Sequence, residues 1–187
     1  LHNDKNVLER LNQDWEQEND DPKFDLFRRK LETEFMKTDI NPSGKLVLFS
    51  ESVDTLTYLQ ERLTQELGRT DVLMVTASNR NRLGQVIKEN FDANYPSDSR
   101  RYNLIITSDV LAEGVNLHRS NVIVNYDSPW NATRLMQRIG RVNRIGSVAP
   151  CIYNYMFYPS QQGDKEIKLY KNALVKLQGF HSAFGED

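Results

Sequence analysis

Leu46-Val47-Leu48-Phe49-Ser50 is a short apolar run that stops at a hydroxyl, and Val53 to Leu67 follows it with apolar residues at helical spacing. The same pairing recurs down the chain. Further β-favouring runs stand at Val72-Leu73-Met74-Val75, Leu104-Ile105-Ile106, Val122-Ile123-Val124 and Ile152-Tyr153-Asn154-Tyr155-Met156, with helical periodicity over Arg82 to Phe91 and Asn131 to Arg141. Strands that are apolar without alternation, separated by helices, predict an α/β fold with a parallel sheet covered by helices on both faces. In such sheets ligands collect at the carboxyl ends of the strands, so chemistry is expected at Ser50, Thr76, Thr107-Ser108-Asp109 and Asn125-Tyr126-Asp127.

Outward from this region, residues 1–42 are expected to form a helical connector and not part of the core. Val7, Leu8, Leu11 and Trp15 keep helical spacing, and Asp21-Pro22 is placed to open a second helix carrying Phe24, Phe27, Leu31 and Phe35. Asn41-Pro42-Ser43-Gly44 ends it, and the α/β lobe is expected over 43–160. A C-terminal helix is expected over 161–187, with Ile167, Tyr170, Leu174 and Leu177 on one face.

Composition narrows the function. With 39% hydrophobic and 27% charged residues, the 187-residue chain has the make-up of a globular protein and not of a disordered tail. No apolar run approaches the roughly 20 residues a bilayer span requires, and no signal peptide is recognisable, so no membrane contact is expected. The single Cys151 excludes an internal disulfide and a thiolate zinc cluster. A reducing, cytoplasmic setting is the expectation. The net charge of −2 hides an asymmetry: 11 acids against 7 bases before residue 44, then four arginines from Arg134 to Arg144 with no acid among them.

That arginine segment is the sharpest local feature. In Gln137-Arg138-Ile139-Gly140-Arg141-Val142-Asn143-Arg144-Ile145-Gly146, the polar groups recur at helical spacing. Guanidinium groups clustered this way suit a polyanion, since each offers planar paired donors and stays charged at physiological pH. Gly140 inside a helix costs about 1 kcal/mol against alanine and suggests a close approach to the backbone. A solvated basic face is the alternative. Ile105-Ile106-Thr107-Ser108-Asp109, followed by Glu113-Gly114-Val115-Asn116-Leu117, offers hydroxyl and backbone donors to a phosphate or ribose, although ordinary helix capping accounts for the same residue types. Tyr126-Asp127-Ser128-Pro129-Trp130-Asn131 forms a turn into the arginine helix. His2, His118 and His181 have no metal-ligand spacing, so no metal site is assigned.

In this order and at these separations, the segments resemble the second RecA-like lobe of superfamily-two helicases and translocases. Leu46 to Ser50 resembles motif IV, Ile106 to Leu117 motif V and Gln137 to Gly146 motif VI. Gln137 and Asn116, with Glu113 before the motif V glycine, depart from the DEAD-box pattern. Tyr126 to Asn131 before motif VI and Arg144-Ile145-Gly146 closing it, with Asn116, are most similar to the SWI/SNF-type branch and its bacterial HepA/RapA-like members, and Glu113 has no assigned role. The resemblance implies that Arg141 and Arg144 act as arginine fingers on the γ-phosphate of ATP, and that Gln137 helps position the nucleotide or couples it to the nucleic-acid site. It implies nucleotide contacts for Gly114, Asn116 and Arg138, and phosphate-backbone contacts for Ser50, Thr107 and Ser108 that carry no sequence information.

No phosphate loop of the Gly-x-x-x-x-Gly-Lys-Ser/Thr type occurs in the sequence, and the chain starts at Leu1. The expectation is therefore one half of an ATPase, inactive alone, whose partner is the N-terminal RecA-like lobe holding the Mg2+ ligands. The track is expected to be double-stranded DNA. An unwinding RNA or DNA helicase, or a non-catalytic nucleic-acid or protein-binding module, is the alternative.

Overall fold

The computed structural model describes residues 2–17, 20–111, 114–129 and 131–158. The C-terminal helix expected over 161–187, Trp130 and Glu113 lie outside them. Helix α1 spans His2–Gln17, and α2 spans Pro22–Lys30 before widening into a π turn at Leu31–Phe35. Strand β1 is Leu46–Phe49, followed by α3 (Val53–Leu67), β2 (Val72–Val75), α4 (Arg80–Phe91) and β3 (Leu104–Thr107). A short 3-10 helix at Asp109–Leu111 leads on to β4 (Val122–Asn125), α5 (Ala132–Val142) and β5 (Tyr153–Met156).

The strands form one parallel five-stranded sheet in the order β2-β3-β1-β4-β5, as the unbroken apolar runs predict. Side chains alternate across it. Leu46 and Leu48 enter one layer with Phe24, Phe27, Leu56, Leu59 and Leu63. Val47 and Phe49 enter the other with Ile87, Phe91, Leu117 and Val142. Because both faces are buried, all four residues of β1, β3 and β4 are apolar or fully paired, and no polar alternation survives to mark the strands.

Local signals set the helix ends. The Asp21 carboxylate accepts from the Phe24 amide at 2.9 Å, and Pro22 sits in the first turn, where its missing N–H costs nothing. The other Asp21 oxygen accepts from the Tyr58 hydroxyl at 2.6 Å, which ties α2 to α3. After Phe35, the Asn41 side chain donates to the Phe35 carbonyl at 3.0 Å and satisfies a helix-end acceptor. Ser52 caps α3 at its start, and Gly68 ends it at φ 59°, where a side chain would be strained.

Within residues 1–42, Phe24, Phe27, Leu31 and Phe35 are each no more than 2% exposed, and the three phenylalanine rings pack edge-on or tilted against Tyr58, Tyr126, Tyr155 and Phe157. α2 is thus a covering helix of the sheet. α1 differs, with Val7, Leu8 and Leu11 all more than half exposed.

Candidate functional site

The carboxyl end of the sheet gathers the polar residues that end each strand. Asp127, just past β4, accepts from Ser50 Oγ at 2.5 Å, from the Glu51 amide at 3.2 Å and from Lys23 Nζ at 2.8 Å. Burial pushes the Asp127 pKa up, but the hydrogen bonds from Lys23 and Ser50 outweigh it and hold the carboxyl below its ordinary 3.8. One carboxylate therefore fastens α2 and the β1–α3 turn to the end of β4.

The expected nucleic-acid contacts are divided by this arrangement. Ser50 is fully buried with its hydroxyl committed to Asp127. Thr107 is also buried, and its hydroxyl lies 3.0 Å from the carbonyls of both Val75 and Ser108, bridging β3 to β2. Neither hydroxyl faces outward. Ser108 is the member of the trio that reaches the surface, half-buried at the sheet end.

Helix α5 sorts the arginines. Asn131 caps it by accepting from the Thr133 amide at 2.9 Å. Leu135, Arg138 and Val142, spaced i, i+3 and i+7, face the sheet and are buried. Arg138 is 0% exposed: its Nε donates to Asp109 at 2.7 Å, its Nη1 donates to Asn125 at 2.9 Å, and its guanidinium lies 5.0 Å from the Phe49 ring centroid. Arg138, expected at the nucleotide, has its guanidinium wholly covered within this lobe. It is a buried strut between α5, β4 and the residues after β3. Arg134, one turn earlier, stays half-exposed and pairs with the same Asp109 at 3.3 Å.

On the opposite face, Gln137, Gly140 and Arg144 are exposed and Arg141 is half-buried. The loop after β3 is fastened beside them, because the Leu117 amide donates to the Arg141 carbonyl at 2.9 Å. Arg144 donates through Nη1 to Asn116 Oδ1, and through Nε to the Gly140 carbonyl at 3.1 Å. Asn116 in turn donates to Asp92 at 3.1 Å. Gly114 has φ 76°, and a Cβ there would lie 2.6 Å from the Arg80 guanidinium, so only glycine fits this bend. No close neighbour explains Gly140, where an added Cβ meets nothing within 4 Å.

The structure thus brings Gln137, Arg141, Arg144, Asn116 and Gly114 onto one outer surface and takes Arg138, Ser50 and Thr107 into the interior. Sequence reasoning missed Asp92 and Arg80, which come from either end of α4 and carry no motif of their own. The signal for Arg138 was present in Leu135 and Val142, which flank it on the same helical face.

The surface can supply fixed positive charge and amide donors to an anion. Among the described residues no three His, Cys, Asp or Glu side chains converge as ligands for a metal ion, and no helix is long and apolar enough to cross a membrane.

Comparison with known proteins gives these features a context. A family model described as the helicase conserved C-terminal domain matches residues 23–146. The uncharacterized ATP-dependent helicase YqhH of Bacillus subtilis (strain 168) is 46% identical over 46 residues, which is 25% of this chain and 8% of that protein. The ATP-dependent RNA helicase DHH1 of Coccidioides immitis (strain RS) is 30% identical over 125 residues, 65% of this chain and 22% of that one. The chain therefore spans under a quarter of the length of these relatives. Among solved structures, the C-terminal part of the Fun30 ATPase domain superposes with a TM-score of 0.63 at 20% identity, covering 81% of this chain and 44% of that one. S. cerevisiae Dbp5 bound to RNA and ADP BeF3 superposes at 0.58 and 22% identity, covering 88% and 37%. These likenesses agree with the parallel α/β lobe expected from the sequence.

Proposed function

Since the chain belongs to the helicase conserved C-terminal domain family, we propose that it is the second motor lobe of an ATP-dependent nucleic-acid translocase, and that Arg141 and Arg144 reach the γ-phosphate of ATP held by the first lobe. The observation that carries this reading is the division of α5: Arg138 turns inward, while Gln137, Arg141 and Arg144 line the outer face beside Gly114 and Asn116. Arg138 is wholly covered, whereas Gln137 and Arg144 are exposed. Arg144 spends Nε on Gly140 and Nη1 on Asn116, which orients the guanidinium while it remains at the surface.

In this mechanism the arginines stabilise the charge that develops on the transferred phosphoryl oxygens. Their positive charge needs no proton adjustment, and holding them in advance avoids reorganisation as the bond breaks. Asn116 sets the direction of Arg144, Gly114 lets the loop bend close to it, and the open backbone at Gly140 leaves room for the phosphates or the facing lobe. Mg2+ would supply charge neutralisation on the phosphates. In this reading its ligands belong to the first lobe. ATP binding closes the lobes and hydrolysis opens them. Ser108, at the exposed end of β3, is the candidate that remains for a phosphate-backbone contact.

Double-stranded DNA is the proposed track, on the motif pattern of Gln137 and Asn116. A second reading, an RNA-unwinding helicase, is favoured by the relatives named as RNA helicases. ATP turnover by the complete two-lobed protein, with no nucleic acid, duplex DNA, single-stranded DNA or RNA, separates them. Duplex-stimulated turnover that falls by about 10³-fold or more in Arg141→Ala is expected. Stimulation by RNA or single strands alone moves the assignment to unwinding, and turnover indifferent to Arg141 overturns the arginine-finger role.

A further inference from the structure

At the amino ends of the strands lies a cavity of about 360 Å³ lined by Ser43, Lys45, Asp98, Arg100, Asn103 and Arg119, among others. Three of these residues are cationic and one is acidic. Asp98 is shared loosely by all three: its carboxylate lies 3.8 Å from Lys45 Nζ, 3.4 Å from Arg100 Nε and 3.5 Å from Arg119 Nη1. Well-made charge-assisted hydrogen bonds run about 2.7–2.9 Å, so none of the three contacts is one.

Two of the cations are buried. The Lys45 side chain is 3% exposed, donates one proton to the Tyr102 carbonyl at 3.0 Å and passes over the Phe91 ring. Burial holds its pKa below the ordinary 10.5, and Arg119 and Arg100 push the same way against Asp98. Arg119 is 8% exposed and donates to the carbonyls of Glu89 at 2.7 Å and Tyr95 at 2.8 Å, which fixes the segment carrying Asp98 and Arg100. Arg100 adopts φ 49°, the one positive φ outside glycine among the described residues. Arg100 lines the cavity while its side chain stays largely exposed. The lining thus sets three positive charges against one carboxylate at a concave polar site.

We propose that this cavity is a binding site for a small free oxyanion of the phosphate or polyphosphate class, with a lining that includes neither Arg141 nor Arg144. Lys45 and Arg119 form its floor and Arg100 stands exposed at its mouth. The bound anion supplies the negative charge that Asp98 alone does not. The lining has no aromatic side chain, so the phosphate group and not a nucleobase is what the site recognises.

Titration of isotope-labelled protein with inorganic phosphate and with pyrophosphate, against sodium chloride at matched ionic strength, tests this through the backbone amide signals. Saturable shifts at Lys45, Asn103 and Arg119 are expected, stronger with pyrophosphate. Arg100→Glu, on the surface, should weaken them by about tenfold to a hundredfold, while Arg144→Ala leaves them unchanged. Lys45→Met should abolish them if it folds. Shifts confined to Gly114 and Arg144, shifts reproduced by chloride, or saturable shifts that survive Arg100→Glu would each overturn the proposal. Arg144→Ala keeps this outcome distinct from failure of the motor reading.

Discussion

Single residues at the sheet end carry distinct duties. Gly114 at φ 76° faces the Arg80 guanidinium, so Gly114→Ala should destabilise the fold by about 1–2 kcal/mol through the left-handed backbone alone, measured as the urea midpoint. Asp127 predicts a pH effect. Its folded pKa lies below the ordinary 3.8, against burial, because Lys23 and Ser50 hydrogen-bond the carboxylate. The folded state therefore binds fewer protons than the unfolded chain, and this stabilisation is complete above 3.8 and is lost as the pH falls through the lowered folded value. Asp127→Asn should flatten the acid limb of a stability-against-pH curve. An unchanged limb would mean that the Lys23 and Ser50 contacts do not act on the carboxylate in solution.

At the scale of elements, α5 joins a buried face to an exposed one. Arg138→Ala removes the buried partner of Asp109 and Asn125. It should cost about 2–4 kcal/mol, below the range for a wholly buried pair because Asp109 retains 27% of its side-chain exposure. Arg141→Ala should shift stability by only about 1 kcal/mol and act on turnover instead. Equal unfolding midpoints for the two variants would contradict the inward and outward sorting of the helix. α2 has the opposite character, since Phe27 is fully buried among Phe24, Phe35, Tyr126 and Phe157. Phe27→Ala should cost about 3–5 kcal/mol, a loss that a peripheral connector would not give. The apolar stripe of this helix, from Phe24 to Phe35, was legible as a sequence. That it belongs to the core was not, because helical spacing tells which face is apolar and not what that face meets.

Across the whole molecule, the carboxyl ends of the strands carry the buried cluster of Ser50, Thr107 and Asp127, and the amino ends carry the cavity of Lys45, Arg100 and Arg119. Arg144 and Asn116 stand toward the latter end, since Asn116 donates to Asp92 after α4. With no phosphate loop in its sequence, the chain by itself should turn over ATP no faster than a buffer blank, and adding duplex DNA should not change that. Hydrolysis by the isolated chain that survives Arg141→Ala would place the phosphate-binding machinery where the motif assignment does not.

Five apolar runs of strand length with helical stretches between them determined the layered parallel sheet, because an unbroken apolar strand is stable only when covered on both faces. The spacing of Gln137, Arg141 and Arg144 likewise marked one helical face, since a helix turns about 100° per residue wherever it is placed. The order β2-β3-β1-β4-β5 was decided only in three dimensions. So was the fate of each polar group. Ser50, Thr107 and Arg138 bear the same side chains as surface donors do, and their burial depends on partners 77, 32 and 29 residues away. Tertiary packing brings an acceptor to each of them and excludes water from it, and local sequence holds no record of either.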